Sequence, residues 1–143
     1  MRVAAHPGLY DPDRPEPALR GTRCGACERV WFPPVGIGCP DCGAAEELLI
    51  ATELTAAGRL HSVATVHRHR VKGFDGPFAV GEIQLDDGPL VRATLAVSES
   101  EVTLDQRVVA TWVTQRVDDD GNEVIEPRFG PAVGGEIDAQ ATP

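Results

Sequence analysis

From Ala51 onward the chain alternates. In GRLHSVATVHRHRV (58–71), apolar and polar residues change places at nearly every step, the period of a strand with one buried face. The run is long enough for one long, bent strand. FAVGEIQL (78–85) and LVRATLAV (90–97) repeat the texture, and the DDGP between them puts Asp87-Gly88 where a hairpin turns. QRVVATWVTQRV (106–117) predicts a fourth strand, with Trp112 in the core. DDDGN (118–122) predicts a turn and EVIEPRFG (123–130) a fifth strand. No segment has a convincing helical period, although LAVSESEVTL (95–104) has room for one turn capped by Ser98 or Ser100. Five strands, the first of them long, predict a small Greek-key barrel of the oligonucleotide/oligosaccharide-binding type, the OB-fold. An SH3-like barrel or a five-stranded sandwich fits the same pattern.

The texture before Ala51 is different. Residues 1–18 carry Pro7, Pro12, Pro15 and Pro17, which excludes a long helix and predicts an extended arm. All four cysteines fall in RCGACERVWFPPVGIGCPDCG (23–43), as two CxxC pairs with eleven residues between them. The last residues have no periodicity. The expected organisation is a Pro-rich arm over 1–18, a cysteine module over 19–49, a barrel over 50–131 and a loose tail over 132–143.

Length and charge narrow the function classes. The chain has 143 residues, enough for one compact barrel with a small module attached. No apolar run approaches the roughly 18 residues of a membrane span, and the N-terminus lacks an apolar stretch of signal-peptide length. The expectation is a cytoplasmic protein with no membrane partner. A formal net charge of −9 disfavours a polyphosphate partner, as does a content of four Phe, two Trp and one Tyr, since single-strand binders stack bases on aromatic rings. A nucleic-acid-binding zinc-ribbon/OB module is therefore the alternative, not the leading reading.

The cysteines carry the strongest chemistry. Tetrahedral zinc takes four thiolates at about 2.3 Å, and two CxxC knuckles brought together by a hairpin supply them. Cys24, Cys27, Cys39 and Cys42 are the expected ligands of a structural zinc, with Gly43 suited to the tight turn after the second knuckle and Glu28 in the matching place after the first. Trp31, Phe32 and Val35 lie in the insert and are expected to cover the site. Iron in a rubredoxin-like site uses the same ligands. A redox CxxC is disfavoured because neither pair opens a helix after a strand. Four cysteines close the coordination sphere, which makes the metal a scaffold and not a reaction centre.

The run C-x-x-C, Phe32-Pro33-Pro34, Cys39-Pro40-x-Cys42-Gly43, followed by Gly58-Arg59-Leu60-x-Ser62-x-x-Thr65-Val66-His67 and Gly76-Pro77-Phe78-Ala79-Val80, resembles the zinc-ribbon/OB-fold proteins associated with acyl-CoA thiolases and thiolase-like steroid side-chain aldolases. That family was long known only as a domain of unknown function. The likeness covers roughly residues 19–130. It implies an N-terminal rubredoxin-like zinc ribbon followed by a five-stranded OB barrel. It also implies an accessory subunit, not catalytic alone, that binds a thiolase-fold enzyme as a heterotetramer and helps hold or shield acyl-CoA in lipid or steroid metabolism. Many members begin with a helical hairpin, and the proline-rich arm departs from that.

Between Leu54 and Phe74 no acidic residue occurs, while Arg59, Arg68, Arg70 and Lys72 supply four of the eight basic residues after position 48. Strand alternation puts Arg68, Arg70 and Lys72 on one face and His67 and His69 on the other. Guanidinium groups bind phosphate bidentately, so this strip is the candidate contact for the phosphates of coenzyme A; a solvated strand face is the competing reading. His67-x-His69 lacks an evident third metal ligand. Asp118-Asp119-Asp120-Gly121-Asn122 resembles part of a calcium loop without its closing Glu and reads as a solvated turn. No nucleophile–base motif and no phosphate-cradling glycine loop appears.

Overall fold

The computed structural model describes residues 1–67 and 76–132. Among these residues nine strands form two sheets: β1 (Arg2–Ala4), β2 (Ala18–Cys24), β3 (Val30–Trp31), β4 (Leu49–Thr55), β5 (Ala57–Val66), β6 (Phe78–Leu85), β7 (Leu90–Thr94), β8 (Arg107–Val117) and β9 (Glu123–Pro131). The small sheet has the order β3-β2-β4 and carries the cysteines. The large one has the order β1-β9-β8-β5-β6-β7. It is mostly β, as the alternation predicts.

In the large sheet β5, β6 and β7 form a meander, and β8 and β9 form a hairpin that returns beside β5. The sheet then curls until the end of β7 reaches β9. Leu95 bridges Phe129 in parallel, and the Ala96 N–H donates to the Phe129 carbonyl at 2.7 Å. This connectivity is the OB barrel and excludes the open sandwich. Register shifts at Leu60/Ser62 and Thr114/Arg116 bend the two longest strands of the barrel, which closure requires. Gly58 marks a crossing so close that a Cβ there would lie 2.1 Å from the Gln84 carbonyl oxygen.

Inward-facing residues of every barrel strand meet in one core. Leu60, Ile83, Val108 and Phe129 have at most 1% of their surface exposed, and each such burial contributes about 1.5–3 kcal/mol. Leu19 of β2 and Leu54 of β4 join the same cluster, so the small sheet leans on the barrel core. β4 passes through the buried Ala56 directly into β5, which makes the junction a nearly continuous strand.

The turns follow the sequence closely. Asp87, in the β6–β7 turn, accepts the N–H of Thr55 at the end of β4 at 2.8 Å. A single turn at Glu99–Glu101 starts at Ser98, whose N–H donates to Glu101 Oε1 at 3.1 Å. Asp118 organises its own turn by accepting the N–H groups of Asp120 and Asn122. β5 ends at Val66 and β7 at Thr94, both short of the expected limits; His67 lies beyond the strand, and residues 68–71 of the expected first strand lie outside the described residues.

The N-terminal arm is more than an extended lead. β1 pairs in parallel with the start of β9, Arg2 opposite Glu123. Tyr10 is buried in the core, and its hydroxyl donates to the Ile125 carbonyl at 2.9 Å. The Trp112 indole N–H donates to the Arg14 carbonyl at 2.7 Å, with the Tyr10 ring 5.6 Å away. Trp112 is thus only partly buried, because it serves as the peg for the arm and not as a central core residue.

Candidate metal centre

The small sheet brings the two CxxC pairs together. β2 and β4 pair along their full length, from Ala18 opposite Thr55 to Cys24 opposite Leu49. Each pair then folds in the same way. The Glu28 N–H donates to the Cys24 carbonyl at 2.8 Å and the Gly43 N–H to the Cys39 carbonyl at 3.0 Å. The Cys24 N–H donates to the Arg29 carbonyl and the Cys39 N–H to the Ala44 carbonyl, both at 2.9 Å. Glu28 and Gly43 sit in the left-handed region, at φ 67° and 77°. The turn anticipated for Gly43 is therefore made twice, and Glu28 accepts a conformation that glycine adopts at lower cost.

All four sulfurs lie within 4.8 Å of one another, with Cys24–Cys42 and Cys27–Cys39 each at 3.7 Å. A tetrahedron of thiolates about 2.3 Å from a zinc ion has sulfur–sulfur edges of about 3.8 Å. The donor set and the spacing thus fit a tetrahedral dication held by Cys24, Cys27, Cys39 and Cys42. Cys24 and Cys39 are buried, while Cys27 and Cys42 are exposed.

The backbone prepares these sulfurs for charge. The Cys27 and Ala26 N–H groups point at the Cys24 sulfur at 3.5 and 3.4 Å, and the Cys42 N–H points at Cys39 at 3.5 Å. The Cys27 amide holds the Cys24 thiol below its ordinary value, and the Cys42 amide brings Cys39 down to about 6. The Arg29 amide pulls Cys27 down, but desolvation and the Cys39 sulfur outweigh it and raise that thiol to about 12. Cys42 is raised too, because desolvation and the Cys24 sulfur outweigh the Ala44 amide. One thiol of each knuckle is ready to ionise and its neighbour resists, since four thiolates cannot share this space without a cation. A divalent ion removes that conflict.

Two family models match in tandem: the ChsH2 rubredoxin-like zinc ribbon domain over residues 13–47 and the ChsH2 C-terminal OB-fold domain over residues 51–127. The chain belongs to the ChsH2 zinc-ribbon/OB-fold family. The metal centre is accordingly the structural zinc site of a ChsH2-type ribbon. A chain of the solved Ltp2–ChsH2(DUF35) aldolase matches with a TM-score of 0.63 and 27% identity, covering 80% of this chain and 85% of that one. A protein of Thermomonospora curvata described as a probable enoyl-CoA hydratase alpha subunit is 28% identical over 112 residues, covering 78% of this chain. The chain spans about a third of the length of that curated relative (33%).

Within this ChsH2-type frame the other candidate residues separate. Arg68, His69, Arg70 and Lys72 lie outside the described residues. His61 and His67 are exposed, and Arg59 donates to the Asp105 carbonyl at 3.0 Å. Trp31 stacks under Arg29 at 5.2 Å. Val35 is tied back by both its N–H and its carbonyl to the Thr22 hydroxyl. Phe32 is partly buried and packs against the barrel core. Among the described residues no helix is long and apolar enough to cross a membrane.

Sequence reasoning passed over Thr22, Tyr10 and the Glu126 cluster. Glu126 is 6% exposed, and its carboxylate accepts from Arg128 Nε at 2.6 Å and from Gln115 Nε2 at 2.9 Å. The only hint was spacing: Glu126 and Arg128 stand two apart on one strand, and so share a face.

Proposed function

We propose that this chain is the accessory subunit of a thiolase-fold enzyme, of the thiolase or steroid side-chain aldolase type, and that it helps hold or shield acyl-CoA without being catalytic alone. The observation that carries this reading is the match, along both ribbon and barrel, to a chain of the Ltp2–ChsH2 aldolase. The tandem ChsH2 models support it. Within it the zinc is structural, and the ribbon, barrel and arm act as one body that docks on the enzyme. A dimeric enzyme offers two equivalent docking surfaces, so the assembly is a heterotetramer. Arg68, Arg70 and Lys72 are assigned to the coenzyme's phosphates at the mouth of the joint site.

Calorimetry tests this with an acyl-CoA ester and three samples: the isolated chain, the isolated enzyme and their mixture. The mixture is expected to bind the ester more tightly than either part, and the isolated chain to turn over none of it. Arg68→Ala combined with Arg70→Ala removes charge-assisted contacts, at about 1.5–3 kcal/mol for one of them, or roughly tenfold to a hundredfold in affinity. Equal affinity with and without this chain would sink the reading.

A further inference from the structure

The barrel seam is incomplete at one place. On its free edge β9 has β1 beside Glu123–Ile125 and Leu95, just after β7, bridging to Phe129, and among the described residues no strand covers residues 126–128 between them. Pro127, in the middle of the gap, has no N–H to leave unpaired there. A cavity of about 220 Å³ opens at this gap. Its walls come from three parts of the chain: Leu9 and Tyr10 of the arm, Leu19 and Phe32 of the ribbon, and Val91 and Ala93 of β7.

Protein interiors leave few voids larger than one water. This one has room for about seven waters at ~30 Å³ each, but each would need two to four polar partners, which the mostly apolar part of the lining does not supply. The walls suit hydrocarbon. His6, Arg92 and Thr94 also line the cavity, and all three side chains can donate hydrogen bonds. His6 and Arg92 are exposed. Arg92 reaches Glu82 through one nitrogen at 3.3 Å, which leaves its other N–H groups for the cavity. Glu126, also in the lining, has each carboxylate oxygen engaged by Arg128 or Gln115, so its charge is balanced inside the wall.

We infer that this seam cavity is a binding site for a compact hydrocarbon group, branched or alicyclic and of about seven non-hydrogen atoms, that carries a carbonyl or carboxylate oxygen at its outer end. The site lies wholly within this chain, and so it stands or falls separately from the accessory-subunit reading. A ligand seated there touches arm, ribbon and barrel at once and fastens them together.

The test uses the zinc-loaded full chain, titrated with cyclohexanone and with cyclohexanecarboxylate and followed by methyl NMR. Both probes are expected to give saturable shifts at the Leu19 and Val91 methyls. Ala93→Leu fills the cavity and is expected to weaken both probes at least tenfold with no loss of melting temperature. Should that variant not fold, Ala93→Val makes the same comparison with a smaller plug. Arg92→Gln is expected to weaken the carboxylate more than the ketone. Absence of saturable shifts with either probe overturns the inference. So do shifts that persist undiminished in the filled variant, since they report surface contact only.

Discussion

The zinc ribbon and the barrel use the same strand geometry but are held by different interactions. The barrel closes on side chains such as Leu60, Ile83, Val108 and Phe129, which have almost no surface in water. The small sheet contributes Leu19 and Leu54 to that same core and has little of its own: Leu48, Ile50 and, beside it, Ile37 stay exposed. What the ribbon buries is Cys24, Cys39 and the hydroxyl-bearing Thr22. Hydrophobic burial therefore builds one half and metal ligation the other, with Leu19 and Leu54 as the mechanical link. The arm is a third region that relies on both sheets: β1 and Tyr10 engage the barrel, and Arg14 reaches Glu53 of β4 in the small sheet at 2.5 Å.

The largest effect should come from the metal. Structural zinc contributes about 10–16 kcal/mol in small zinc modules. Cys39→Ser is expected to release the ion and melt residues around the two knuckles while the barrel stays folded. Elemental analysis combined with amide spectra checks this, and a simultaneous collapse of both halves would erase the contrast. Phe129→Ala attacks the other half and should cost about 3–5 kcal/mol in denaturant unfolding. Its zinc content per folded chain should remain at one.

Tyr10 sharpens the comparison through pH. Burial raises its phenol from 10.0 to about 12. The folded state favours the neutral form, so this stabilisation is complete below the unfolded pKa near 10 and is lost as pH rises through 12. By linkage the two-unit difference amounts to about 2–3 kcal/mol. Tyr10→Phe is expected to flatten the stability profile between those pH values, as read by chemical denaturation across the alkaline range. The smallest effect belongs to the arm's peg. Trp112→Phe removes one hydrogen bond, about 0.5–1.5 kcal/mol, and should speed amide exchange in residues 2–17 with little change in the barrel strands.

How much of this was legible in the sequence depended on the range of the interactions. The four cysteines, the hairpin at Asp87-Gly88, the turn at Ser98 and the order of the five barrel strands are set by local spacing and alternation, and they stand where the pattern put them, although β5 and β7 stop earlier than expected. The arm was not legible, because Tyr10 meets Ile125 and Trp112 meets Arg14 across about a hundred residues, and proline content says nothing about such partners. Phe32 read as a cover for the metal, since its neighbours are cysteines. Its actual packing follows from the way β4 runs on into β5 and lays the ribbon against the barrel. The seam gap at 126–128 depends on where β1 and β7 stop, and no motif encodes that.

The most direct test of the accessory-subunit account is the mass of what this chain forms with a co-expressed thiolase-fold enzyme, measured by size-exclusion chromatography with light scattering. The account predicts one peak with the mass of two copies of each chain and about two zinc ions per particle. Separate elution of the two proteins at micromolar concentration, with zinc bound and the barrel folded, would contradict it.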